Sequence, residues 1–172
     1  VEEPFISKYL CQKVKKGDIL RARGPIGRFV YEPIKDHKHL VMIAGGSGVT
    51  PFISIMREYA PYLGEDSFPQ KMTLFVTFRS DEELMCWKEI EELQRVEGIQ
   101  IVVTLSRQEQ MPEDKIFRKG RITTDILKDS LEGGYENKTY MTCGPQGLMD
   151  LVKNHLTKVG VTQEHIKLES FD

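Results

Sequence analysis

Long apolar runs and an excess of basic charge are both missing from this 172-residue sequence. Its longest apolar stretch, residues 40–46, is far shorter than the ~18–20 residues that a membrane-spanning helix requires. Lys and Arg number 24 against 26 Asp and Glu, a net charge of −2 that offers nucleic acid or an anionic membrane no general attraction. No charged and then apolar leader opens the sequence, so no retained secretory signal is expected.

Cysteine is also scarce, with three widely spaced residues, Cys11, Cys86 and Cys143. An odd number cannot form a complete disulfide set, and three cannot supply a four-cysteine iron–sulfur site. This content favours a reducing, cytoplasmic location. The four histidines show no H-x-x-H or Cys-His pairing, so no metal site is predicted.

Two regions of different pattern follow one another along the chain. Residues 1–33 carry short apolar stretches separated by turn residues, which we interpret as antiparallel β-structure too short to close a barrel alone. Residues 34–38 are polar and predict a linker. From residue 39 to 172, near-continuous apolar runs alternate with amphipathic segments, which predicts an α/β domain with a doubly wound parallel sheet.

Five strands and four helices are predicted in this second region. The strands lie at 40–44, 72–78, 99–105, 139–143 and 165–171. The helices begin at Thr50, after the capping-box pattern at Ser80, after Thr123 or Thr124, and after Pro145.

A glycine-rich turn joins the strand at 40–44 to a helix with proline at its first position. Glycines allow a ligand close to the backbone, and the free amides of a helix N-terminus bind phosphate. The alternative is an ordinary strand-to-helix turn, and the spacing is not G-x-G-x-x-G. The strand–turn–helix context favours phosphate binding by the turn residues, which are Gly45, Gly46, Ser47, Gly48, Val49, Thr50 and Pro51.

A second turn, Cys143-Gly144-Pro145, follows the strand at 139–143 and also opens a helix. Because ligands of open parallel sheets lie beyond the carboxyl ends of the strands, both turns are expected at one edge. The alternative for Cys143 is a small buried apolar residue. No histidine stands near it in the sequence, so a Cys-His nucleophile is not predicted.

Together these turns resemble those of the ferredoxin–NADP reductase superfamily, more closely its NADH-dependent branch of oxygenase and ferredoxin reductases. Residues 46–51 match the G-x-G-[IV]-[AT]-P turn of that family, and residues 143–145 match its C-G-P turn. Further likenesses extend the resemblance over nearly the whole chain. They are SKYL…KKGD…RGPIGRF at 7–29, LSR at 105–107, KGRIT at 119–123 and LESF at 168–171.

The resemblance implies an FAD-binding β-barrel followed by a domain for the nicotinamide nucleotide. It implies that the glycine-rich turn cradles the nucleotide pyrophosphate, with Thr50 as a donor. Cys143, the predicted catalytic residue, would flank the nicotinamide together with Gly144 and Pro145. Ser7 would contact the flavin pyrophosphate, and Glu169 and Phe171 would lie near the flavin ring.

Two family motifs are missing from the chain. The R-x-Y-[ST] flavin motif is absent, so we expect an incomplete barrel and FAD binding only in a longer protein. The C-x4-C-x2-C spacing is also absent, so any [2Fe–2S] domain is expected outside these residues.

The choice of nicotinamide nucleotide depends on the residues after the second strand of the domain. Arg79 and Ser80 suit a 2′-phosphate, whereas the three acids at 81–83 repel one. Those acids also favour a helix N-terminus, which is the alternative explanation. Arg107 is a further nucleotide-binding candidate. We predict NADH rather than NADPH.

The leading hypothesis is a flavin-dependent NAD(P)H oxidoreductase that passes hydride from NADH to FAD and electrons to an iron–sulfur or haem acceptor. The acceptor, a protein or a [2Fe–2S] domain, is expected outside this chain. The alternative is a nucleotide-binding regulatory or electron-transfer subunit without catalysis of its own. A dehydrogenase without flavin is disfavoured, because no Ser-Tyr-Lys or His-Asp set is present.

Overall fold

The computed structural model describes residues 5–24 and 26–170, and a parallel sheet of six strands forms its centre. In space the strands follow the order β4-β3-β2-β1-β5-β6. The chain therefore leaves β1 in one direction and returns to β5 on its other side. This reversal opens a crevice at the carboxyl ends of the two strands. The strands are β1 (His39–Gly45), β2 (Lys71–Phe78), β3 (Ile99–Leu105), β4 (Phe117–Lys119), β5 (Lys138–Cys143) and β6 (Ile166–Glu169).

Helices cover both faces of the sheet, because its central strands are apolar on both sides. In β1, Leu40, Met42 and Ala44 face one core, while Val41 and Ile43 face the other. Helices α2 and α3 close the first core, and α4 and α5 close the second. No helix of the described part is long and apolar enough to span a bilayer. The helices are α1 (Phe5–Gln12), α2 (Thr50–Tyr59), α3 (Trp87–Leu93), α4 (Thr124–Ser130) and α5 (Gln146–Lys158).

Residues 29–38, called here the strap, precede β1 and pack against α2. The Phe29 ring lies 5.7 Å from that of Phe52 at the start of α2, and the Tyr31 ring lies 5.3 Å from that of Tyr59 at its end. Tyr31 is buried. The strap therefore runs along α2 and belongs to the packed structure.

The predicted doubly wound parallel sheet is confirmed, although it has six strands where five were predicted. The additional strand is β4, which has three residues at the edge of the sheet, and only Phe117 among them is buried. So short a segment carries too little apolar pattern to predict a strand.

The partial antiparallel barrel predicted for residues 1–33 is not confirmed. The described residues between 5 and 33 contain no strand, and residues 5–12 form the helix α1. Strands satisfy their backbone groups only by pairing, and two or three of them have no stable sheet of their own. The apolar residues Phe5, Ile6, Tyr9 and Leu10 also follow helical spacing.

Helix α3 begins at Trp87, well after the predicted cap at Ser80. In the described structure Ser80 makes no side-chain capping hydrogen bond, and residues 81–83 form a single 3-10 turn. Cys86, with φ of 55°, turns the chain before the helix begins. The capping-box pattern therefore marks a short turn here.

Candidate functional site

The two predicted turns are locked together, backbone against backbone, where β1 and β5 end. A Cβ added to Gly48 would lie 2.2 Å from the carbonyl oxygen of Cys143. A Cβ on Gly144 would lie 2.8 Å from the amide nitrogen of Gly45. Only glycine permits this approach, so the residue types at these positions fix how the two turns meet.

Gly46 differs from these two glycines, because the space that a side chain would occupy there is empty. Its φ of 55° lies in the left-handed region, and no described atom beyond its chain neighbours lies within 4 Å of the position of a Cβ. The residue lines an open cleft just ahead of α2. Amides in the first turn of a helix lack intrahelical acceptors, so this backbone suits an anionic group.

The cleft has a volume of about 910 Å³ and extends from the two turns across the carboxyl ends of β2 and β3. That volume is within the range of sites for small molecules and cofactors. The wall combines backbone from the turns with polar, basic and apolar side chains. Those residues are Gly45, Gly46, Ser47, Thr77, Phe78, Arg79, Glu83, Met85, Ser106, Arg107, Arg121, Ile122, Gly144, Pro145, Gln146, Gly147, Leu148 and Leu151.

Three arginines line the part of the cleft formed by the ends of β2, β3 and β4. The amide of Arg107 donates to the carbonyl of Arg79 at 2.8 Å, which extends the pairing of β2 with β3 and sets these residues side by side. The amide of Gly120 donates to the carbonyl of Leu105 at 2.9 Å and brings Arg121 to the same edge. A guanidinium nitrogen of Arg79 lies 4.0 Å from a carboxylate oxygen of Glu83. The cleft therefore offers cationic hydrogen-bond donors and one acid.

Most of the predicted nucleotide-binding residues are brought together here. Seven of them line the cleft, namely Gly45, Gly46, Ser47, Gly144, Pro145, Arg79 and Arg107. Gly48 and Val49 are buried behind the turn, Pro51 lies in the first turn of α2, and Ser80 is not part of the cleft wall that the described residues form.

Thr50 faces away from this cleft. Its hydroxyl donates to the carbonyl of Ser47 at 2.9 Å, and its side chain lines a separate hollow of about 500 Å³ along α2. The hydroxyl therefore stabilises the turn from within, because the proton that it could give to a ligand is already donated.

Cys143 is completely buried beneath the second turn, in the core shared with Ala44. Burial raises the pKa of its thiol, and the carboxylate of Glu169, its register neighbour on β6, raises that pKa further. The thiol is therefore neutral and shielded, and it is not suited to nucleophilic chemistry. Its role beside the nicotinamide stays a prediction.

The residues predicted for the flavin are not gathered into one site. Ser7 lies on α1, where every residue is exposed, and Glu169 is exposed at the end of β6. Phe171 lies outside the described residues. The described residues thus gather most of the predicted nucleotide-binding residues in one cleft, but they form no complete flavin pocket.

Arg121 is the main site residue that the sequence analysis did not identify. The rule that ligands lie beyond strand ends would have found it, but β4 was not predicted as a strand. Glu83 was considered only as one of three acids, and the structure separates it from the other two by placing it on the cleft wall. Within residues 5–24 and 26–170, no three metal-ligating side chains come together.

An open parallel sheet, a crevice at its strand reversal and a cleft with glycine backbone and arginines define an α/β nucleotide-binding domain. Comparison with known families agrees with this class. The chain belongs to the oxidoreductase NAD-binding domain family, whose model matches residues 42–154. The resemblance to the ferredoxin–NADP reductase superfamily is thereby confirmed.

Similar proteins are longer than this chain. NADH-cytochrome b5 reductase 1 of Candida glabrata is 31% identical over 160 residues, covering 92% of this chain and 54% of that protein. NADH-cytochrome b5 reductase 2 of Homo sapiens is 30% identical over 179 residues, covering 94% and 62%. The flavohem-like FAD/NAD-binding domain of nitric oxide dioxygenase from Vibrio cholerae superposes with a TM-score of 0.78 at 25% identity, covering 96% of this chain and 64% of that one. The chain spans 54% and 62% of the length of these two reductases.

Proposed function

We propose that this chain is the nucleotide-binding part of a flavin-dependent NADH oxidoreductase, which passes hydride from NADH to FAD and electrons on to a haem or iron–sulfur acceptor. The observation that carries the proposal is the open Gly46 backbone beside the locked turns at the β1–β5 crevice. The names of the similar NADH-cytochrome b5 reductases support NADH as the donor and a haem protein as the acceptor.

The cleft has the chemistry to hold a dinucleotide along its length. The Gly46 backbone and the start of α2 suit the pyrophosphate, because amide donors and the helix dipole favour negative charge. Arg79, Arg107 and Arg121 suit the adenosine end, where a guanidinium group binds phosphate or ribose oxygens. Gly144 and Pro145, in the second turn, then suit the nicotinamide, as the family resemblance implies.

At that nicotinamide end the protein contributes shape and binding rather than acid–base chemistry. The neutral Cys143 thiol lies under the turn, and the close contact of Gly144 with Gly45 holds the turn in place. The chemistry supplied by bound flavin is acceptance of hydride and release of single electrons. The chain's own task is to hold the nicotinamide in line with that acceptor.

Glu83 supports the preference for NADH over NADPH. Its carboxylate lines the cleft beside Arg79, where it would repel a 2′-phosphate and occupy a guanidinium that could bind one. Glu82 carries the same charge one residue earlier but does not belong to the cleft wall that the described residues form. The two glutamates therefore give a matched pair of variants.

Titration calorimetry of this chain with NADH, NADPH and FAD tests the nucleotide part of the proposal. We expect NADH to bind, NADPH to bind more weakly, and FAD to bind little, because Ser7 and Glu169 do not share a pocket. An absence of binding by either nicotinamide nucleotide would contradict the assignment of the cleft.

The Glu83→Gln variant is expected to bind NADPH about fivefold more tightly relative to NADH, the effect of removing one exposed like charge. Glu82→Gln is the control and is expected to leave the ratio unchanged. An equal effect of both variants would mean that general charge, rather than the cleft, sets the preference.

Activity is tested on the longer protein, purified with its flavin. NADH is expected to reduce the flavin and, through it, a one-electron acceptor such as ferricyanide. A longer protein that binds NADH but reduces neither would support the regulatory subunit instead.

We also propose a reducing, cytoplasmic location, supported by three free thiols in exposed, half-buried and buried positions at Cys11, Cys86 and Cys143. Microscopy of the tagged full-length protein tests this, and accumulation in a secretory compartment would contradict it.

A further inference from the structure

The strap connects α2 and β6, which neighbour the two turns of the proposed hydride-transfer site. At one end Phe29 lies against Phe52, in the first turn of α2, the helix that follows the glycine-rich turn. Along its length the strap is held to β6, the strand next to β5. It therefore bridges the helix and the strand on either side of the Cys143 turn.

One side chain makes the connection to β6. The ammonium group of Lys167 donates to the carbonyl of Val30 at 2.9 Å and to the Asp36 carboxylate at 2.6 Å, and it lies 3.5 Å from a carboxylate oxygen of Glu32. The Asp36 side chain is 2% exposed and that of Lys167 is 16% exposed. The same Asp36 oxygen accepts from the amide of Glu32 at 2.6 Å, which closes the strap into a turn.

The position of Lys167 on β6 places this contact close to the Cys143 turn. Lys167 pairs in register with Met141, and Glu169, two residues further on, pairs with Cys143. Residues two apart on a strand point to the same face and lie about 6.6 Å apart. The lysine that holds the strap therefore lies on β6 on the same face as Glu169, the residue that pairs with Cys143.

We propose that Lys167 and Asp36 are positioning residues that hold the flavin-bearing part of the longer protein at a fixed distance from the nicotinamide. This inference rests on the proposed function and on the domain order that the family resemblance implies, with the flavin-binding part before the strap. Such a part is joined to the nucleotide-binding domain through residue 29. If the strap loosens, the nucleotide still binds its cleft, but the reacting groups lose their alignment. Hydride transfer depends steeply on that alignment.

The test uses the full-length flavoprotein with Lys167→Met combined with Asp36→Asn, which removes both charges and leaves neither buried without a partner. Stopped-flow reduction at saturating NADH is expected to be slower by about tenfold, while the Kd for NADH changes by less than about twofold. In the flavin-free protein, amides of residues 30–36 are expected to exchange with deuterium faster. The single variant Lys167→Arg, which can keep the contact with Asp36, is expected to retain the wild-type rate.

Lys35→Met is the matched control, because it removes an exposed ion pair with Glu32 at 2.7 Å within the same strap but touches no part of β6. It is expected to change neither rate nor exchange. An unchanged hydride-transfer rate in the double variant, or a loss of NADH affinity as large as the loss of rate, overturns the inference. A wild-type protein whose flavin takes no hydride from NADH overturns the proposed function itself.

Discussion

At the scale of single residues, the glycines of the first turn serve two separate purposes. Gly48 lets the two turns touch, whereas Gly46 leaves backbone open to a ligand. Gly48→Ala would force a Cβ against the Cys143 carbonyl, and we expect a loss of about 3 kcal/mol in the free energy of unfolding. Gly46→Ala meets no such obstacle, so we expect a loss of about 1 kcal/mol from its positive φ together with weaker NADH binding.

Chemical denaturation and calorimetry on both variants check this difference. If Gly46→Ala kept full NADH affinity, the pyrophosphate would have to lie elsewhere. If Gly48→Ala were as stable as the wild type, the turns would not depend on their close contact.

His39, at the start of β1, makes the stability of the domain depend on pH. The pKa of its imidazole is lowered from 6.5 to about 4, mainly by burial and then by the ammonium groups of Lys138 and Lys71, against an opposing effect of Glu132. The ring also bonds the Thr73 hydroxyl at 2.9 Å. His39 therefore binds a proton less readily in the folded protein than in the unfolded chain.

The stabilisation from neutral His39 is complete above the unfolded pKa and is lost as the pH falls from about 6.5 to about 4. We expect His39→Gln, whose amide can still bond Thr73, to show a smaller fall in unfolding free energy over that range. Urea titrations at several pH values measure it. The other histidines remain in both proteins, so the difference between them isolates His39. Parallel curves for the two proteins would contradict the shift.

Among the helices, α4 is capped by a side chain at its first turn, whereas the residue predicted to cap α3 makes no such hydrogen bond. The Thr123 hydroxyl accepts from the amide of Ile126 at 3.3 Å and caps α4. Ser80 has the stronger sequence pattern, but its side chain caps no helix in the described structure. We expect Thr123→Ala to lower the unfolding free energy by about 1 kcal/mol and Ser80→Ala by less than about 0.5 kcal/mol. Thermal unfolding compares them, and the reverse order would mean that α3 extends back to Ser80 in solution.

The elements that the sequence predicts best are those that bury the most side chains. The central strands β1, β2, β3 and β5 are nearly continuous apolar runs, and this pattern arises only when both faces are covered. β4 pairs with β3 at the edge of the sheet and buries only the Phe117 ring among its three residues. Its residue types therefore show no recognisable strand pattern. The apolar residues of α1 have helical spacing, but the turn residues that follow them are typical of β-structure, so the sequence pattern predicts β-structure where the helix lies.

The turn residues of the site can be predicted from the sequence, because glycine and proline carry a direct backbone meaning. Arg121 was missed because an arginine has no positional signal until its strand is known. The orientation of Thr50 and the burial of Cys143 depend on packing around the turns, which short motifs do not encode.

At the scale of the whole molecule, the strap decides where the folded unit begins. The sequence predicted a polar linker at 34–38, yet Tyr31 and Asp36 are buried and the amide of His37 donates to the Thr139 hydroxyl at 2.9 Å. By contrast, nearly every described residue from 5 to 28 is exposed. The residues that pack into the folded domain therefore begin at residue 29.

Two truncations test this boundary. A chain that starts at Phe29 is expected to keep the unfolding free energy of the full chain within about 0.5 kcal/mol, because nearly all the described residues that it loses are exposed. A chain that starts at His39 loses the buried Tyr31 ring and leaves Lys167 without its buried carboxylate partner, so we expect a loss of at least about 3 kcal/mol. Urea unfolding of the two proteins provides the comparison. Equal stability would mean that the strap is only a linker. The expected difference would show that the strap is part of the folded nucleotide-binding domain.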